Sequence, residues 1–205
     1  MEFQFSEVSR MLVTDRLKEE YIVKEKTTTM IKANVFALLL VIPIVLVGGG
    51  IYYFYHPFNV KEILLSDSFF IKLILFVVLF ILSIGIHEFI HGLFWSFFCV
   101  KHWKSISFGI DKSTGSPYCH CEELLKVWQY VAGALAPGVI LGAVPYMLSV
   151  YWGNIMLLLL SLFSILGAGG DIMMVSFLIG ENPNYLVLDH PKLVGCMVYC
   201  KNSGV

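Results

Sequence analysis

From Lys126 to Asp171 the chain carries no charged side chain between those two residues, and none from Ala33 to Tyr55. From Phe69 to Phe98 the only charges are Lys72 and Glu88. About 20 apolar residues suffice to cross the hydrocarbon of a bilayer, where a backbone without water must satisfy its own polar groups, in practice as helices. The lengths allow four passes, 33–55, 69–98, 127–151 and 154–179. Composition agrees, with 58% hydrophobic and 14% charged residues and a mean hydropathy of +0.78. The expected fold class is mainly α, a polytopic membrane helix bundle of about four transmembrane helices with a small cytoplasmic β-hairpin. Its parts are an amino-terminal segment (1–32), a transmembrane core (33–180) and a tail (181–205). The lipid bilayer is a partner, and a net charge of −1 gives nucleic acid no basic surface to bind.

Residues 1–32 mix acids and bases before any apolar run, which predicts a short interfacial helix rather than a cleavable signal peptide, so the first span acts as its own insertion signal. Gly48-Gly49-Gly50 is expected to loosen the far end of that span, Pro137-Gly138 and Pro145 to kink the third, and Gly153-Asn154 to form the turn before the fourth. Within 101–126, Ser105 to Ile110 and Ser116 to Cys121 read as two strands around the turn formers Asp111 to Gly115. The five cysteines follow no extracellular framework and are expected to be reduced; Cys196 and Cys200, at helical spacing, read as buried small apolar residues. Lys and Arg number twelve in the amino-terminal segment, the 101–126 loop and the tail, against two (Lys61 and Lys72) around the first linker. That imbalance places both termini and the hairpin in the cytoplasm.

Ionisable groups inside such apolar runs are costly and mark function. His87-Glu88-Phe89-Ile90-His91 sets two imidazoles four residues apart, on one face of a helix, at the spacing that lets them share a zinc ion. Glu88 between them is placed to take a proton from a water that the ion activates. A catalytic zinc site takes three protein ligands. The metzincin extension would put a histidine at position 97, which is Phe97. Asp171 is the leading third ligand: it is the only acid in the fourth span, and it and His87 lie about equally deep, roughly 26 Å along their helices. Glu122 or Glu123, and the Cys119-His120-Cys121 run, remain alternatives, while Asp189-His190-Pro191 reads as a turn in the tail.

His87 to His91, followed by Pro117-Tyr118-Cys119-His120-Cys121-Glu122, Leu135-Ala136-Pro137, Gly169-Gly170-Asp171-Ile172 and Asp189-His190-Pro191, resembles a family of bacterial multi-pass membrane zincin peptidases, related in plan to site-2 proteases. The resemblance runs from about residue 70 to the tail. It implies a zinc metallopeptidase of the bacterial cell membrane, with His87, His91 and Asp171 holding Zn2+, Glu88 as the catalytic carboxylate and a membrane or membrane-associated protein as substrate. Site-2 proteases carry Asn-Pro before the third ligand and Gly after it, where this chain has Gly169-Gly170 and Ile172. Two other functions fit the same sequence, a non-catalytic zinc-binding membrane protein and a transporter-associated scaffold.

Overall fold

A computed structural model describes residues 21–111, 115–190 and 193–201. Residues 1–20 of the expected interfacial helix lie outside these. The described part of that segment is no interfacial helix: β1 (Tyr21–Thr28) is a strand, and the last three residues already belong to the first long helix. Its β-branched Ile22, Val23, Thr27 and Thr28 suit a pleated chain, and its partner strand is far along the sequence, out of sight of any local pattern.

Helix α1 (Met30–Tyr55) starts at Thr29, whose side chain accepts from the Lys32 amide. It runs unbroken through Gly48–Gly50, contrary to the expected loosening. The missing side chain at Gly48 makes room for the Tyr146 ring, whose hydroxyl donates to the Gly48 carbonyl at 2.9 Å. A short helix α2 (Val60–Leu64) sits in the linker, and α3 (Phe69–Ser96) carries the histidines. Strands β2 (Ile106–Ile110) and β3 (Pro117–Cys121) form the expected antiparallel hairpin, with Ile106 opposite Cys121 and Ile110 opposite Pro117.

After β4 (Leu125–Lys126), α4 (Val127–Pro137) continues through a π-helical turn, Gly138–Ala143, into α5 (Val144–Trp152). Between the two prolines the helix widens into one π-helical turn, and Val127–Trp152 stays a single helical stretch long enough to cross a membrane. Gly153 ends α5 in the left-handed region (φ 66°), and the Asn154 side chain caps α6 (Ile155–Gly167), accepting from Leu157 N at 3.0 Å. The fourth span is not one helix. It breaks at Ala168, and α7 (Gly169–Leu178) leaves at 43°. Gly169 sits against Ala37 and Val41 of α1, so closely that a Cβ would collide with Ala37.

Strands β5 (Leu186–Asp189) and β6 (Val194–Lys201) complete an antiparallel sheet of order β1-β6-β5-β4. Cys196 and Cys200 thus lie on a strand instead of a helix. A spacing of four keeps one face in either structure, and both are buried as expected. All five cysteines are free thiols, packed in one core with Trp95, Tyr130, Val187 and Val198, where hairpin, sheet and the ends of α3, α4 and α7 meet. The described residues are mostly helical, 63%, with small antiparallel sheets. Ile31–Tyr55, Phe69–Ser96 and Val127–Trp152 are long and apolar enough to cross a membrane, and α6 with α7 makes a fourth such stretch if the bent pair counts as one.

Candidate metal centre

On α3 the two imidazoles project from one face, ring centroids 4.8 Å apart and planes at 79°. Their Nε2 atoms are 3.2 Å apart. Because the fourth span breaks at Ala168, Asp171 falls in the first turn of α7, where a carboxylate is favoured by the helix dipole. Its Oδ2 is 3.0 Å from His87 Nε2 and its Oδ1 3.3 Å from His91 Nε2. Among the described residues these three form the one group of His, Cys, Asp or Glu side chains able to hold a metal ion.

The donor set fits zinc. Four ligands at about 2.0–2.1 Å around a tetrahedral ion stand about 3.3–3.4 Å apart, close to the observed edges. The hydrogen bonding points the same way. His91 Nδ1 lies 2.9 Å from the Gly133 carbonyl oxygen, which can only accept, so Nδ1 carries the hydrogen and Nε2 keeps its lone pair. His91 is 4% exposed, so that lone pair faces a second imidazole nitrogen and a carboxylate in a nearly dry setting, an arrangement that a cation relieves.

Glu88, half-buried beside the pair, accepts from the backbone N–H of Cys119. The hairpin is placed for this. Glu122 N–H donates to Ser105 O and Asp111 N–H to Ser116 O, so the even-numbered residues of β3 bond to β2 and the odd ones turn their backbone groups outward. The edge of β3 turned away from β2 therefore faces Glu88. The hairpin also packs down on α3 at Gly92, where a Cβ would run into Phe108 and Ile106. A cleft of about 320 Å³ leads away from the centre along α3, lined by Phe80, Ser83, Ile84, His87, Phe163 and Gly167.

The alternative ligands are employed elsewhere. Glu123 accepts from the amides of Val100 (2.7 Å) and Lys101 (3.0 Å) and from the Ser105 hydroxyl. Partial burial would raise its pKa, but these donors outweigh that and hold the carboxyl below its usual range. Glu122 is exposed. Burial pushes the Cys119 and Cys121 thiols up, so both are neutral packing groups, while His120 leaves on the other face toward Asp189, 3.2 Å away. Asp189 itself is not a surface turn residue. It is 5% exposed and accepts from the Tyr130 hydroxyl (2.5 Å) and the Cys121 amide (3.3 Å), tying β5 to α4 and to the hairpin. A further clamp comes from Trp95, stacked on His91 (5.2 Å, 15°) and on Tyr130 (5.3 Å, 23°), with its indole N–H donating to the Tyr130 carbonyl at 3.1 Å. Nothing local in the sequence marks Tyr130 or its contacts with Trp95 and Asp189, because these partners sit on other elements.

Apolar helices of membrane-crossing length around a His-His-carboxylate cluster, with a glutamate at its side, define a candidate metallohydrolase. The chain belongs to the family described as "Putative zincin peptidase", whose model matches residues 80–186, 107 of its 205 residues. That family implies zinc and metallopeptidase activity. The matched stretch holds the three residues of the cluster and Glu88, whereas β1, α1 and β6 lie outside it. No curated protein and no solved structure matches the chain.

Proposed function

We propose that this protein is a membrane-embedded zinc peptidase that hydrolyses a peptide bond of a membrane or membrane-associated protein near the cytoplasmic face. The observation that carries this reading is the convergence of His87 Nε2, His91 Nε2 and the Asp171 carboxylate beside Glu88. His87, His91 and Asp171 would hold the ion. When bound, zinc supplies a Lewis acid and lowers the pKa of a water molecule to about 7. Glu88 accepts the proton of the attacking water at its carboxylate and returns it to the leaving amine. The β3 edge receives the substrate as an added strand, which keeps the scissile bond extended and occupies its backbone groups. Its side chains toward the membrane lie in the cleft along α3.

One observation supports the cytoplasmic setting, and a second supports both termini lying on one side. The Lys and Arg count is twelve against two. In addition, β1 before the first pass hydrogen-bonds to β6 after the last, which requires an even number of crossings, and so favours four. The same plan supports kinship with bacterial site-2 proteases, with Gly169-Gly170 in place of their Asn-Pro. Comparative membrane proteomics of cells carrying wild-type or Glu88→Gln protein tests the function. A substrate should accumulate uncleaved in the variant; identical membrane proteomes, with zinc bound to both proteins, would favour a non-catalytic zinc protein.

A further inference from the structure

Helix α4 lies against the histidine face of α3, and one of its carbonyls is out of the ordinary. In an α-helix the carbonyl of residue i accepts the N–H of residue i+4. For Gly133 that residue is Pro137, which is within the helix and has no N–H to give. A buried carbonyl deprived of its helical donor needs another, and the one it has is His91 Nδ1, at 2.9 Å. That bond leaves Nε2 as the lone-pair nitrogen, and Nε2 is the atom that faces His87 and Asp171. Gly133 fits the same role from the side-chain direction, since a Cβ there would run into the Trp95 ring that stacks on His91.

We infer that Pro137 is a positioning residue for the metal centre: by withholding an amide hydrogen it reserves the Gly133 carbonyl for His91 and so sets which imidazole nitrogen faces the ion. The inference rests on the zinc reading above and deepens it. A proline present only to shape α4 would bend the helix whatever its neighbours on α3. A proline that frees a carbonyl matters through one hydrogen bond, here that between His91 Nδ1 and the Gly133 oxygen.

The test uses the full-length protein in detergent micelles. Pro137→Ala and Pro137→Gly both return an N–H to compete for the Gly133 carbonyl, although they differ in backbone freedom. Zinc affinity, read by competition with a chromophoric chelator, should fall about 10-fold or more in both, as for other losses of a hydrogen bond to a ligating histidine, with the saturating stoichiometry unchanged. Pro145→Ala, which restores an N–H elsewhere in the same long helix, should bind as wild type does. Wild-type affinity in both Pro137 variants overturns the inference. A second measurement needs no variant: nitrogen-15 spectra of the zinc-free wild-type protein should show His91 protonated at Nδ1, and protonation at Nε2 overturns the inference even if the Pro137 variants do not fold. Wild-type protein that takes up no zinc would instead sink the zinc reading itself, leaving the His91 tautomer to be judged by the spectra.

Discussion

Glutamine at position 88 keeps the side chain's size and removes its basicity. Glu88→Gln is therefore expected to retain fold and bound zinc while losing at least about 100-fold in peptide hydrolysis, measured as turnover of an unfolded polypeptide by purified protein. His87→Ala or His91→Ala should lose the metal by elemental analysis, and Asp171→Asn should lower zinc occupancy by exchanging an anionic oxygen for a neutral one. Unchanged occupancy in Asp171→Asn would remove that residue from the ligand set. Gly133→Ala is expected to cost about 1–3 kcal/mol of stability in thermal or denaturant unfolding, because the added methyl meets the Trp95 ring. The motif residues are legible in sequence because two histidines at helical spacing share a face whatever surrounds them, and Asp171 because it is the lone acid of its run. The contacts that tie Tyr130 to Trp95 and to Asp189 are not legible, since they join distant elements, and Asp189 reads in sequence only as part of a turn. Pro137 lies between these cases: a proline four residues after a glycine announces a carbonyl without a donor, but only the fold says who uses it.

Among the elements, the hairpin was readable from alternation and turn formers, and its strand bounds match within a residue. Which edge faces the glutamate was not, because that depends on which parity of residues bonds to β2. Ser107 lies opposite His120, one of the inward-bonding pairs, so Ser107→Pro removes a ladder donor and distorts the edge. Zinc content should persist and cleavage should drop; wild-type cleavage would make the hairpin an ordinary connector. Strand β1 escaped sequence analysis because an eight-residue stretch with mixed charge becomes a strand only beside β6. Its Lys24 and Lys26 each lie 3.0 Å from the Glu181 carboxylate, just beyond α7. Hydrogen bonds from Lys26 and Lys24 hold the Glu181 carboxyl below its usual range. A depressed folded-state pKa contributes stability above the unfolded value and loses it as pH falls through the folded one. Glu181→Gln should accordingly lower the thermal midpoint at pH 7, with the gap to wild type closing on acidification below the usual carboxylate range.

For the whole molecule, apolar run lengths announced where the three long helices lie, while the break at Ala168 was hidden in a run of small residues that reads equally well as continuous helix. The sheet adds a constraint that hydropathy lacks. Strands β1, β4, β5 and β6 form one sheet, so the segments before α1, between α3 and α4, and after α7 meet in one place. The native cysteines are buried and offer a quiet background for labelling with a membrane-impermeant maleimide. In intact cells Lys61→Cys is expected to react, and Lys101→Cys and Lys201→Cys only after permeabilisation. Reaction of Lys61→Cys and Lys201→Cys from the same side would break the four-pass topology. The pairing of β1 with β6 also sets an order of assembly. At roughly 5–20 residues per second of synthesis, β1 waits on the order of ten to thirty seconds for its partner while every intervening helix is made. A ribosome that stalls before Val194 therefore leaves a chain whose histidine helix is complete while the edge of β1 that β6 would cover stays open.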